Sequence, residues 1–228
     1  MLVPALHLSR GQAHAAACNP NRPGTPQDAF DTLLSGNARW STQHQEHPGE
    51  DTDRRVCVAK NGQTPFAAIL SCSDSRVPPE LIFDQGLGDL FVARVAGNSA
   101  SGKLIESLLF GTNNLGAPLI FVLGHSSCGA INAAVAAVRR RQQHPFEFVE
   151  LIRPAVRIAR HKVRQGGGDP DDDTKVIPLA VDENVILNVN RLRKKYQAQI
   201  KAGTLAVAGG RYDLSNQEVT ILVGLAAG

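Results

Sequence analysis

Short apolar runs alternate with longer segments of helical periodicity along most of the chain. Continuous apolar runs indicate strands covered on both faces, which is typical of a parallel sheet. Such runs occur at 66–71, 90–95, 119–124 and 205–208, with a fifth candidate at 218–223. Helical periodicity separates them at 101–115, 129–142, 147–165 and 182–202. The alternation predicts an α/β fold, with a central, mostly parallel β-sheet flanked by helices.

A further helical pattern precedes the first strand. It starts at Thr25 or Pro26, after a segment rich in Pro and Asn, and ends near Gly36. The polar segment 41–55 and the acidic, glycine-rich segment 166–174 are predicted loops. We expect one domain over 26–228, preceded by an N-terminal arm over 1–25 that is disordered or the remnant of an export signal.

Composition and charge limit the classes of partner expected for this chain. The 228 residues are 43% hydrophobic and 20% charged, and the net charge is only +3. No apolar run approaches the roughly 20 residues that span a bilayer, so no membrane span is expected. Eight basic residues lie within 139–164, and its two phenylalanines, Phe146 and Phe148, stand between the basic clusters and do not interleave with the basic residues as base-stacking side chains would. We interpret this segment as the solvated side of two helices and expect no nucleic-acid partner.

The four cysteines fall into two pairs. Cys72 and Cys128 stand beside other metal-ligand types, whereas Cys18 and Cys57 stand alone, which favours metal chemistry over bridging. We expect Cys57 to be an inert buried thiol on a helix, and Cys18 to carry a lipid only if an export signal precedes it. The expected location is the cytoplasm; the alternative is export, for instance to the periplasm, if residues 1–18 are a truncated signal segment.

Two motifs follow two of the predicted strands. S-C-S-D-S-R-V begins where 66–71 ends, and G-H-S-S-C-G-A begins where 119–124 ends. Because ligands bind beyond the carboxyl ends of parallel strands, Cys72, His125 and Cys128 should meet there. Two thiolates and an imidazole suit tetrahedral zinc. Asp74 could complete the ligand set, or pair with Arg76 and leave a position open.

Together, these two motifs and the segment I-F-D-Q-G-L-G-D-L-F-V-A-R-V-A-G-N at 82–98 resemble the β-class carbonic anhydrases, in particular the plant-like and mycobacterial subgroup. The resemblance covers residues 26 to 223. It implies reversible hydration of CO₂ to bicarbonate and a proton, in which zinc-bound hydroxide attacks CO₂. It also implies one zinc per subunit on Cys72, His125 and Cys128, and a catalytic dyad of Asp74 and Arg76.

The same resemblance implies a substrate pocket formed by Gln63, Phe91, Ala96, Phe110 and Gly129. Two of these positions depart from the plant-like pattern, since Phe110 replaces a tyrosine and Ala96 replaces a valine. Ile69 stands where the bicarbonate-inhibited subgroup has tryptophan. The combination of Gln63 and Ile69 favours the type in which Asp74 pairs with Arg76.

The resemblance further implies a homo-oligomer. A dimer is the minimal unit and a tetramer an extension of it, with the helix at 26–36 reaching onto the partner and part of the pocket supplied across the interface. Two alternatives remain open at the level of sequence. One is a carbonyl sulfide or carbon disulfide hydrolase on the same fold, and the other is a catalytically inactive protein that zinc stabilises.

Overall fold

A five-stranded sheet in the order β2-β1-β3-β4-β5 forms the centre of the computed structural model, which describes residues 18–225. The first four strands in this order are mutually parallel and β5 is antiparallel to β4. The strands are β1 (Ala67–Ser71), β2 (Leu90–Arg94), β3 (Leu119–His125), β4 (Ala206–Tyr212) and β5 (Val219–Val223). The predicted α/β class and all five predicted strands are confirmed.

Eight α-helices connect and flank these strands within the described residues. They are α1 (Pro26–Ser41), α2 (Thr52–Asn61), α3 (Pro79–Ile82), α4 (Gly102–Leu109), α5 (Gly129–Arg139), α6 (Glu147–Gln165), α7 (Asp173–Lys195) and α8 (Gln197–Lys201). A 3₁₀ turn at Ala96–Asn98 follows β2, and a π-helical turn at Phe110–Asn114 extends α4. Both predicted loops are shorter than expected, because α2 begins at Thr52 and α7 at Asp173.

The sheet is covered on both faces, as continuous apolar strands require. Along β1, Ala67 and Ile69 join a core built with α1, α5 and α6, whereas Ala68 and Leu70 join a second core with α4 and the end of α7. Every residue of β1 and β3 is buried. The two central strands therefore have little freedom to shift, and the residues that follow them are held firmly.

The N-terminal segment corrects two expectations. Cys18 and Cys57 form a disulfide, so the expectation that neither cysteine is bridged is wrong. The Arg22 guanidinium donates hydrogen bonds to the carbonyl oxygens of Thr64, Pro65 and Gly116 at 2.7–2.8 Å. Residues 18–25 are therefore held against the rest of the chain by these contacts. The remainder of the arm expected at 1–25, and any signal remnant in it, lies outside the described residues.

Helix α1 starts as its sequence predicts. Thr25 caps it by accepting a hydrogen bond from the Asp28 amide at 3.1 Å, and Pro26 takes the first helical position. Its apolar face buries Ala29, Phe30 and Leu33 in the core of its own chain. Within residues 18–225, no helix combines the length and the apolar character needed to cross a membrane.

Candidate metal centre

The carboxyl ends of β1 and β3 bring three potential metal ligands together. The two strands are parallel neighbours in which Ser71 pairs with Leu123, so Cys72 and His125 emerge side by side. Cys128 caps the start of α5 just beyond β3. The ligand atoms of Cys72, His125 and Cys128 all lie within 4.8 Å of one another. This is the trio that the strand-end motifs predict.

The donor atoms of the trio fit a tetrahedral metal. The Cys72 and Cys128 sulfurs are 4.0 Å apart, close to the roughly 3.8 Å that two Zn–S bonds of about 2.3 Å give in a tetrahedron. The Nδ1 of His125 lies 2.9 Å from the carbonyl oxygen of Ser126, which fixes the tautomer and leaves Nε2 as a lone-pair donor. That Nε2 is buried and has no hydrogen-bond partner among the described residues, as expected of an atom that binds a metal.

The two thiols of this centre share a proton. The pKa of Cys72 is lowered to about 4, first by the hydrogen bond from the Cys128 thiol and then by His125 and the amides of Asp74 and Gly97. The pKa of Cys128 is raised, because its thiol is hydrogen-bonded to Cys72 and the site is buried. Since a bound metal replaces shared protons, the pair is suited to hold a divalent cation.

Asp74 and Arg76 form a two-pronged ion pair at the mouth of the centre. Arg76 Nε lies 2.9 Å from Asp74 Oδ1, and Nη2 lies 2.7 Å from Oδ2. These contacts hold the pKa of the Asp74 carboxyl well below its usual range. Asp74 Oδ2 is 3.9 Å from His125 Nε2, so the carboxylate borders the ligand trio while facing Arg76.

Arg94, which was not among the predicted site residues, supports the Cys72–Asp74 turn. Its Nε donates to the carbonyl oxygen of Cys72 at 2.8 Å and its Nη2 to that of Asp74 at 2.6 Å. An arginine at the end of an otherwise apolar strand was the available signal. It pointed to an unusual environment without identifying the backbone groups that Arg94 contacts.

The predicted pocket residues separate into two groups. Ala96 and Gly129 lie on the carboxyl edge of the sheet, since Ala96 opens the 3₁₀ turn after β2 and Gly129 directly follows Cys128. A side chain added at Gly129 would meet no atom within 4 Å, so open space borders its backbone. Ile69 is fully buried inside β1.

Gln63, Phe91 and Phe110 lie towards the opposite edge. Phe91 pairs with Ala68, four residues before Cys72, or about 13 Å away along the strand. Phe110 packs on Phe91 with ring centroids 6.1 Å apart, and is 50% exposed. Gln63 is exposed and precedes β1 altogether. A single chain therefore does not bring these three side chains to its own metal centre.

Comparison with known proteins agrees with this arrangement. The family model described as carbonic anhydrase matches residues 67–219. "Carbonic anhydrase 2" of Mycobacterium tuberculosis is 37% identical over 194 residues, covering 84% of this chain and 90% of the relative. The carbonic anhydrase of Mycolicibacterium smegmatis is 34% identical over 207 residues, covering 86% and 93%.

Solved structures extend the similarity to the fold. The β-carbonic anhydrase CcaA superposes with a TM-score of 0.64 at 25% identity, covering 89% of this chain and 91% of the other. A tetrameric β-carbonic anhydrase of the ascomycete Sordaria macrospora gives 0.64 at 22% identity, covering 88% and 100%. The fold and the family match define a class of α/β enzymes, and in this chain three potential metal ligands lie at the carboxyl edge of the sheet. The chain belongs to the β-class carbonic anhydrases, which confirms the resemblance seen in its motifs.

Proposed function

We propose that this chain catalyses the zinc-dependent, reversible hydration of CO₂ to bicarbonate. The observation that carries the proposal is the convergence of Cys72, His125 and Cys128 beside an aspartate already oriented by Arg76. A site that served only to stabilise the fold would need four closed ligands and no such ion pair. This arrangement favours an enzyme over the inactive structural protein that the sequence left open.

Each residue of the centre has a proposed role. Cys72, His125 and Cys128 hold one zinc ion per subunit; when bound, zinc supplies the Lewis acid that makes water acidic enough to attack CO₂ near neutral pH. Asp74 accepts a hydrogen bond from the attacking oxygen and so directs its lone pair at the substrate. Arg76 keeps the Asp74 carboxylate ionised and turned away from the metal, which favours a fourth position open to reactants.

The rest of the pocket is proposed to come from a second copy of the chain. Gln63, Phe91 and Phe110 cluster about the amino edge of the sheet, so only another subunit can place them over the ligand trio. Gln63 would donate a hydrogen bond to a substrate oxygen, and the two phenyl rings would form the apolar wall for CO₂. The tetrameric β-carbonic anhydrase from Sordaria macrospora supports a homo-oligomer.

Two residues, Ala96 and Phe110, determine the size and polarity of the proposed CO₂ pocket. Ala96 is smaller than the valine of plant-like members and Phe110 lacks the tyrosine hydroxyl, so we expect a slightly wider and less polar CO₂ site. Gly129 is exposed and directly follows Cys128, and no atom lies within 4 Å of a Cβ added there. Its backbone amide is a candidate donor to a bound bicarbonate oxygen.

The disulfide supports the exported alternative for location. Disulfides persist in oxidising compartments and are uncommon in the cytosol. We therefore propose that the chain works outside a reducing cytoplasm. Protein isolated from its native cell without reductant should show two free thiols per chain after denaturation, those of Cys72 and Cys128. Four free thiols would refute this location.

The function is tested by metal analysis and CO₂ hydration. The purified protein should contain about one zinc per chain and hydrate CO₂ in a stopped-flow assay with a pH indicator. Asp74→Asn should keep its zinc but lose about 10²–10³-fold in kcat. Asp53→Asn, at an exposed position on α2, is the matched control and should keep full activity. Zinc-loaded protein without CO₂ hydration from pH 6 to 9 would overturn the proposal.

A further inference from the structure

Two buried amide side chains on α7 lie close to the metal centre without taking part in it. Asn184 is 2% exposed and Asn188 is 8% exposed, and they stand one helical turn apart. A buried amide in a helix that packs on an apolar sheet is costly unless its donors and acceptors are all satisfied. The hydrogen-bond partners of Asn184 and Asn188 therefore indicate the role of the two side chains.

The pair fastens the turn after β2 at two points. Asn184 Nδ2 donates to the carbonyl oxygen of Gly97 at 2.8 Å, and Asn188 Oδ1 accepts from the Ala100 amide at 3.0 Å. Asn188 Nδ2 lies 2.8 Å from the Asn184 carbonyl oxygen and 3.3 Å from its Oδ1. The backbone partners fix which end of each amide is nitrogen, since Gly97 offers only an acceptor here and Ala100 only a donor.

The fastened turn reaches a metal ligand. The Gly97 amide donates to Cys72 Sγ at 3.2 Å, and the Asp74 amide donates to the same sulfur at 3.4 Å. Gly97 has φ +70°, and a Cβ there would come within 2.5 Å of Ile152 Cδ1. The turn is thus shaped so that a backbone N–H, and not a side chain, meets the sulfur.

We propose that Asn184 and Asn188 are positioning residues that hold the Gly97 amide on the Cys72 thiolate. An N–H···S bond draws charge from the sulfur, so the thiolate donates less to a bound metal and leaves it a stronger Lewis acid. The inference rests on the proposed function only in that Cys72 binds the metal. Through these two residues, a helix far from both ligand motifs in the sequence would adjust how much charge Cys72 donates to the metal.

Cobalt reports on the sulfur directly. In Co²⁺-substituted protein, Asn184→Leu removes the donor at nearly constant volume and should move the thiolate-to-cobalt charge-transfer band to lower energy. Chelator competition should show metal affinity about 10-fold weaker, because the Cys72 thiolate loses a hydrogen bond that stabilises and orients it, which outweighs its stronger donation. Asn190→Leu, at an exposed position on the same helix, is the matched control and should change neither readout. An unshifted band in folded Asn184→Leu would overturn the proposal.

Two further measurements keep the test decisive if that variant does not fold. Asn188 contacts Asn184 and the Ala100 amide, so it acts on Gly97 less directly than Asn184 does. Asn188→Ser should therefore shift the charge-transfer band in the same direction by a smaller amount. In wild-type protein loaded with ¹¹³Cd, the Gly97 amide proton should show scalar coupling to cadmium through Cys72 Sγ. Absence of that coupling would refute the N–H···S bond itself.

The outcomes separate this inference from the proposed function. A normal thiolate-to-cobalt band in a protein that does not hydrate CO₂ would defeat the proposed function, while the band shift in Asn184→Leu would still decide the role of the asparagines. Absence of any such band in wild type would remove Cys72 as a ligand and overturn both.

Discussion

At the scale of single residues, the alternation of Cys72, Asp74 and Arg76 creates the site. The turn after β1 places a metal ligand, a carboxylate and a guanidinium within a few ångströms, and Arg94 holds the carbonyl groups of that turn. The ligand trio was predictable, because cysteine and histidine at the ends of neighbouring strands must converge. Spacing alone left the orientation of Asp74 open, since both choices satisfy it. Gln63 and Ile69 favoured the pairing with Arg76 through the family resemblance, and the Arg76 nitrogens lie on the Asp74 carboxylate oxygens.

The two-pronged geometry of Arg76 should matter more than its charge. In Arg76→Lys, a single ammonium cannot bind both carboxylate oxygens, so Asp74 is left free to turn towards the metal. We expect kcat for CO₂ hydration to fall at least ~10-fold, the effect of about 1.4 kcal/mol of lost orientation, with zinc content unchanged. Arg55→Lys at an exposed position on α2 serves as the control. Wild-type kcat in Arg76→Lys would show that charge alone suffices.

At the scale of elements, the strands were predictable and some connections were not. Apolar runs marked all five strands. In β1 and β3 the reason is burial on both faces, which leaves little room for polar side chains. The π-helical turn at Phe110–Asn114 escaped prediction, since its periodicity differs little from that of α4. The disulfide escaped as well, because 39 residues separate Cys18 from Cys57 and nothing in the sequence of either segment points to the other.

The π-helical turn depends on a glycine. A Cβ on Gly111 would lie 2.8 Å from Phe91 Cδ1, so Gly111→Ala must displace the Phe91 ring, which packs at a tilt against Phe110. We expect the free energy of unfolding in urea to fall by about 1–3 kcal/mol, as for other overpacked cores. Gly102→Ala, where no atom lies within 4 Å of the added carbon, should be nearly neutral. Equal stability of the two variants would contradict the packing described for this turn.

The disulfide fastens an N-terminal segment onto α2, just ahead of Gln63. Cys57→Ser releases the 39-residue link and should lower the free energy of unfolding by about 2–4 kcal/mol. A reductant should destabilise wild type by a similar amount and leave Cys57→Ser unaffected. If reductant destabilises both proteins equally in their metal-free forms, the effect does not come from this bond.

At the scale of the whole molecule, one sheet presents two different functional edges. The carboxyl edge carries the ligand trio with Asp74 and Arg76, while Gln63, Phe91 and Phe110 gather towards the amino edge. Composition and net charge do not reveal which functional residues lie at which edge, because the residue types at both edges are common ones. The separation follows from parallel strands, whose starts and ends lie on opposite edges.

Mixing of subunits tests whether the two edges complete each other's sites. Asp74→Asn and Gln63→Ala should each be nearly inactive alone. In a hybrid dimer, the zinc centre of the Gln63→Ala subunit faces an intact Gln63 from the Asp74→Asn subunit, so one of the two sites is wholly wild type. Random exchange at equal amounts makes half of the dimers hybrid and should restore about one quarter of wild-type CO₂ hydration. If each chain builds its own site, every hybrid carries one lesion per site and mixing restores nothing.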